Sequence, residues 1–168
     1  MPKIVVLRGN SGSGKSTVAK ALQEKIGRGT LLISQDYVRR EMLWTRGGAD
    51  NKSLSKSIDL LKHLVFFGHK NCEFTILEGT LYVDEDTEKL FEKIKKLFGT
   101  SVFAYYFDLP FEETLKRHAT KPMAQEWGEA EMRKWWRKKD FLKNIDERMI
   151  YKEMSLYDTV EQIYQEIQ

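Results

Sequence analysis

The sequence has one cysteine, little net charge and no long apolar run. Cys72 has no partner for an internal disulfide, which excludes a disulfide-stapled secreted scaffold and fits a reducing, cytoplasmic setting. The longest uninterrupted apolar stretch, Val102 to Phe107, is far too short to span a bilayer. The opening Met-Pro-Lys-Ile-Val-Val-Leu-Arg lacks the apolar stretch and cleavage site of a signal peptide. No membrane association and no obligate protein partner is expected. The balance of 28 basic and 25 acidic residues is too even to argue for nucleic acid by itself. What the 168 residues do have is a 41% hydrophobic fraction, enough for a real core in a single domain spanning 1–168.

The charge is informative in its distribution. Eight basic and three acidic residues lie between Lys116 and Lys139, a local excess of +5, so the rest of the chain carries −2. A solvated helix face and an anion-binding element both fit such a run.

Apolar patterning predicts alternating strands and helices. Lys3 to Leu7 reads as a buried strand and Ser16 to Ile26 as a helix stopped by Gly27 and Gly29. Thr30 to Ser34 is a second strand, Asp36 to Trp44 a short helix, and Thr45 to Asn51 a mobile loop. Leu54, Ile58, Leu61 and Val65 recur at helical spacing, with Ser53 as the expected cap. Glu73 to Glu78 and Ser101 to Phe107 are further strands, with the helix of Leu90, Ile94 and Leu97 between them. The near-continuous apolarity of the fourth strand suggests burial on both faces, as in a parallel sheet. Pro110 opens a helix through about Arg117, Arg148 to Tyr151 is a short fifth strand, and Ser155 with Asp158 caps a closing helix. The alternation predicts an α/β fold.

Between the first strand and the first helix lies Gly9-Asn-Ser-Gly-Ser-Gly14-Lys15-Ser16, which satisfies the phosphate-binding pattern G-x-x-x-x-G-K-[ST]. In such a loop backbone N–H groups wrap phosphates, and the helix N-terminus adds partial positive charge. Gly12, Ser13 and Gly14 form the cradle, with Thr17 as an added contact. Lys15 is expected to reach the β- and γ-phosphates, and the Ser16 hydroxyl to ligate magnesium. An Asn-Lys-x-Asp guanine signature and an apolar strand ending in Asp-x-x-Gly are both lacking, and the chain is too short for a motor. Small kinases remain.

Two carboxylates and several cations stand where a parallel sheet would aim them at the loop. Asp36 follows the second strand, placed to act as general base or simply to cap a helix. Arg39 is three residues on and shares its helix face, where it would hold an acceptor anion. Glu78 ends the third strand, placed to support the metal through water or to serve as a strand-end charge. Arg117 and Lys121 are placed to clamp a transferring phosphoryl group, with Arg133 and Arg137, expected one helical turn apart, joining them. Trp127, Trp135 and Trp136 crowd the same region; the adjacent Trp135 and Trp136 would point about 100° apart on a helix, so at least one of them is expected to pack that helix down. Besides an enzyme, these features fit a non-catalytic nucleotide sensor or a nucleic-acid-binding module.

Leu-Arg-Gly-Asn-Ser-Gly-Ser-Gly-Lys-Ser-Thr, Asp36-x-x-Arg39 and Tyr-Phe-Asp-Leu-Pro-Phe-Glu-Glu-Thr-Leu-Lys-Arg together resemble the P-loop kinases that include phage-type polynucleotide kinases, chloramphenicol phosphotransferases and zeta toxins. The Arg-His-Ala-Thr-Lys-Pro and Arg-Lys-Trp-Trp segments resemble bacterial proteins labelled simply "kinase". The resemblance implies a P-loop NTPase fold with a five-stranded parallel sheet in the order 2-3-1-4-5, flanked by helices, and a basic helical lid at about 118–140. It implies ATP and magnesium, Asp36 activating the acceptor hydroxyl, Arg39 on an acceptor phosphate and Arg117 in the lid region. Glu78 stands where polynucleotide kinases carry aspartate, and Lys121 stands in place of a clear second lid arginine. The expected acceptor is a small molecule (nucleoside, nucleotide, sugar-like metabolite or antibiotic), with a 5′-hydroxyl nucleic-acid end as the alternative.

Overall fold

The computed structural model describes residues 1–45 and 51–168. Strand β1 (Lys3–Gly9) leads into helix α1 (Lys15–Ile26), β2 (Leu31–Ser34) and a short α2 (Gln35–Tyr37). Helix α3 (Asn51–Asn71), β3 (Phe74–Gly79), α4 (Glu85–Phe98) and β4 (Val102–Phe107) follow. Then come α5 (Phe111–Ala119), α6 (Glu129–Trp135), β5 (Glu147–Ile150) and α7 (Leu156–Glu166). All four pairings are parallel and the order is β2-β3-β1-β4-β5.

The alternation within β1 builds two cores. Ile4 and Val6 face one layer with Ile58, Leu61, Val65, Leu90 and Ile94 of α3 and α4. Val5 and Leu7 face the other with Val18, Leu22, Val160 and Ile163 of α1 and α7. A strand buried on both faces needs apolar residues at both parities, which explains the continuous runs in β1 and β4. No helix among the described residues is long and apolar enough to cross a membrane.

Three expectations are corrected. The helix expected over Asp36 to Trp44 is three α-helical residues followed by a π-helical turn, Val38–Met42. Its N-cap is Ser34, whose Oγ accepts from the Tyr37 N–H at 3.4 Å, so Asp36 is freed from capping. Helix α3 starts at Asn51, which puts Ser53 inside the helix rather than at its cap. Helix α6 ends at Trp135, so Arg137 lies beyond it and is not one helical turn from Arg133. The loop expected over Thr45 to Asn51 falls mainly outside the described residues, at 46–50.

Candidate active site

The C-terminal ends of the strands converge on the glycine-rich loop. Gly9, Gly12 and Gly14 all hold positive φ, at 140°, 79° and 97°, conformations that side chains with a Cβ rarely adopt. At Gly12 the need is also steric, since a Cβ there would meet the Thr114 carbonyl oxygen of α5 at 2.5 Å. The loop curls around Lys15, which is 6% exposed and donates to the Asn10 carbonyl oxygen at 2.8 Å and to Ser13 Oγ at 3.1 Å. Burial lowers its ammonium to about 8. The negative charges of Glu78 and Asp36 oppose that drop, and the positive charges of Lys121 and Arg8 add to it.

Those neighbours place the expected residues. Glu78 aligns in register with Leu7 and Ser34 and is 4% exposed. Ser16 Oγ donates to its Oε2 at 3.1 Å, so the hydroxyl and the carboxylate meet beside the ammonium. Asp36, whose charge is felt at the same ammonium, pairs with Arg39 at 3.2 Å, as the three-residue spacing predicts. The turn that carries Asp36 is fixed by Gln35, whose Oε1 accepts from the Leu81 N–H at 3.0 Å and from Thr80 Oγ1 at 3.2 Å. Gln35 packs so closely that a Cβ at Gly79 would lie 2.5 Å from its Oε1.

Arg117 braces the loop. One of its terminal nitrogens donates to the Ser13 carbonyl oxygen at 3.1 Å, and its Nε is held by Glu113 at 2.7 Å. Thr17 sits exposed in the first turn of α1, its N–H bonded to the Gly14 carbonyl at 3.1 Å. Arg133 is engaged elsewhere in the lid region, paired with Glu129 at 2.6 Å and lying 4.3 Å over the Phe111 ring. Arg137 lies 4.5 Å over the Tyr82 ring and donates to the Val83 carbonyl at 3.2 Å. Trp136 packs edge-on against Phe111, as expected of a tryptophan that holds the lid down, whereas Trp135 is 45% exposed.

Three residues of the site region escaped the sequence reading. Asn10 acts as a surrogate peptide group: its Nδ2 donates to the Arg137 carbonyl at 2.7 Å, and its Oδ1 accepts the Arg137 N–H at 2.9 Å. Tyr82 Oη donates to the same Oδ1 at 3.4 Å, and burial pushes this phenol up to about 12, so it remains a donor. Arg8 is fully buried with all five N–H groups bonded: two to the Leu81 carbonyl, two to Asp140 and one to Glu147. A charged residue closing an apolar strand was the available signal for Arg8. Asn10 and Tyr82 carried none.

A parallel sheet in this order, with a strand–loop–helix cradle around a buried lysine, defines a P-loop NTPase fold of the small-kinase type. The AAA_33 family profile, described as an AAA domain, matches residues 4–143, and the chain belongs to that family. No curated protein sequence matches it. Among solved structures it is similar to the Mycobacterium tuberculosis APS kinase CysC in complex with AMPPNP and APS. That match has 18% identity and a TM-score of 0.72, covering 98% of this chain and 96% of that one. A shikimate kinase from Acinetobacter baumannii in complex with shikimate has 17% identity and a TM-score of 0.66, covering 99% and 93%. A gluconokinase from Sinorhizobium meliloti has 15% identity and a TM-score of 0.65, covering 99% and 91%. At these identities the likeness is one of fold.

Proposed function

We propose that this chain is an ATP- and magnesium-dependent kinase that phosphorylates a hydroxyl of a small molecule. The observation that carries the reading is the convergence of the Asp36 and Glu78 charges on one buried ammonium, that of Lys15, inside a glycine-rich cradle. A phosphate-binding loop alone fits many activities. A second carboxylate whose charge reaches the same ammonium, and which is 53% exposed and so open to an incoming molecule, is what a hydroxyl acceptor requires.

The residues fit the expected groups. The loop amides and Lys15 would hold the polyphosphate, and the Ser16 hydroxyl would ligate magnesium, with Glu78 supporting it through water. Bound there, ATP supplies the phosphoryl group and magnesium supplies charge that the chain itself lacks. Lys15, Arg117 and Lys121 oppose the negative charge that spreads over the phosphoryl oxygens. Asp36 accepts the proton of the acceptor hydroxyl, and Arg39 orients Asp36 while offering its remaining donors to an acceptor anion.

A 5′-hydroxyl polynucleotide end is the second reading. It is favoured by Tyr37, which adjoins Asp36, is 61% exposed and offers a flat surface for a base. The test is a screen for γ-phosphate transfer with magnesium-ATP over 5′-hydroxyl oligonucleotides, nucleosides, nucleotide sugars, and aminoglycoside and phenicol antibiotics. Label is expected on one acceptor and is expected to vanish in Asp36→Asn, while nucleotide affinity stays within about threefold. Undiminished turnover in that variant would refute the role of Asp36. ATP binding with no labelled acceptor, and slow hydrolysis that survives Asp36→Asn, would favour a nucleotide sensor.

A further inference from the structure

The turn that carries Asp36 touches the lid through one residue that the reaction does not use. Arg40, on the π-helical turn, forms an ion pair with Glu126, and its guanidinium lies 4.8 Å from the centroid of the Trp127 ring. The Arg40 side chain is 13% exposed and Glu126 51%, so the seated part of the contact is the guanidinium over the Trp127 ring, with the ion pair at its solvent edge. Trp127 stacks on His118 of α5 with centroids 5.6 Å apart and planes 20° apart, and its carbonyl is 2.9 Å from His118 Nε2. His118 adjoins Arg117, the residue that braces the phosphate loop. The chain of contacts therefore runs from the Asp36 turn through Trp127 and α5 to the phosphate loop.

We infer that Arg40, Glu126 and Trp127 form a latch that ties the lid to the turn carrying Asp36 and so fixes where that turn stands. In kinase terms, which rest on the proposed function, Arg40 is a positioning residue that acts through Asp36 on the acceptor hydroxyl. The indole N–H of Trp127 is buried with no partner among the described residues. The latched arrangement thus carries an unmet donor, as suits a contact that must also open.

Hydrogen–deuterium exchange on the ligand-free protein reads the latch without any phosphoryl transfer. In Arg40→Ala the amides of 120–128 are expected to exchange roughly tenfold faster, the effect of losing one seated cation–π contact and its ion pair. Exchange in β1 and β3 is expected to stay unchanged. Arg40→Lys keeps a charge for Glu126 but loses the flat stacking surface, and is expected to fall between. Unchanged exchange at 120–128 in both variants overturns the latch. In steady state, with the acceptor that the transfer screen labels, Arg40→Ala is expected to lower kcat about fivefold while KM for ATP stays unchanged, with Arg40→Lys between. An unchanged kcat despite faster exchange overturns the positioning role. Faster exchange in a protein that labels no acceptor leaves the latch standing and removes the kinase reading, so the two ideas fail separately.

Discussion

Nucleotide binding at alkaline pH should draw a proton from solution, and Lys15 is the group that takes it. Its ammonium falls from 10.5 to about 8 because the loop and the strand ends bury it. At pH 9, one unit above that value, about 90% of the free protein carries neutral lysine. A polyphosphate seated in the loop places several negative charges against Nζ and returns the lysine to its charged form. Binding at pH 9 is therefore expected to take up about 0.9 proton, against about 0.1 at pH 7. By linkage, affinity is expected to fall about tenfold per pH unit above pH 8, until the pH reaches the lysine's raised value in the complex. The assay is calorimetric titration with a non-hydrolysable ATP analogue in buffers of different ionisation enthalpy. At pH 9 the phosphates are fully ionised, so their own protons do not confound the count. Uptake below about 0.3 proton at pH 9, or equal uptake in Lys15→Met, would refute the assignment. The same displacement acts on stability. Between pH 8 and 10.5 the unfolded chain binds more protons at Lys15 than the folded chain does, so stability rises with pH across that window. Below pH 8 the full cost is present, on the order of 3 kcal/mol. Lys15→Met is thus expected to stabilise the ligand-free protein by about 1–3 kcal/mol at pH 7, while losing nucleotide affinity.

Three more outcomes follow from the surroundings of the loop. Gly12→Ala combines a φ of 79° with a Cβ 2.5 Å from the Thr114 carbonyl, and is expected to cost more than about 2 kcal/mol in denaturant melts. Gly27→Ala also has positive φ but meets nothing within 4 Å, so its cost should stay near 1 kcal/mol; equal costs would contradict the steric account. Arg8→Met strands the Asp140 and Glu147 carboxylates, the latter 2% exposed, and is expected to cost about 3–5 kcal/mol and lower Tm by roughly 10 °C. Adding Asp140→Asn and Glu147→Gln should recover part of that loss; no recovery would show that the buried charges were not its cause.

The fold was largely legible because its signals are local. Strand runs such as Val102 to Phe107, the caps at Ser155 and the stop at Gly99 depend on neighbours a few residues away. The phosphate loop was legible for the same reason, since Gly12, Gly14, Lys15 and Ser16 act as one short segment. The turn around Asp36 was less so. Asp36-x-x-Arg39 gave the pair, but not the π-helical turn beneath it, which depends on Gln35 reaching across to Leu81 and Thr80. The lid was the least legible part. Arg133 and Arg137 fit one helix on paper. In the fold α6 stops at Trp135, and Arg137 turns to meet Asn10, a residue 127 positions away. A pairing at that separation leaves no periodic trace in the sequence.

Those long-range pairings make the crevice one device rather than a set of loops. Arg8 precedes Gly9 directly, so the strand that ends in the phosphate loop also holds Leu81, just past Glu78, and Asp140, at the end of the lid segment. Asp140 in turn accepts the Val83 N–H at 2.8 Å, closing a ring of contacts that never passes through the nucleotide site. Asn10 adds a second tie from the loop to Arg137. A shift at the loop is therefore carried to the lid's return segment by two separate connections, one ionic and one of peptide type. The lid's far edge is tied to the acceptor-side turn through Arg40. The turn that carries Asp36 and the loop that carries Lys15, on different elements, are thus joined by contacts that run through the lid segment as well as through the sheet.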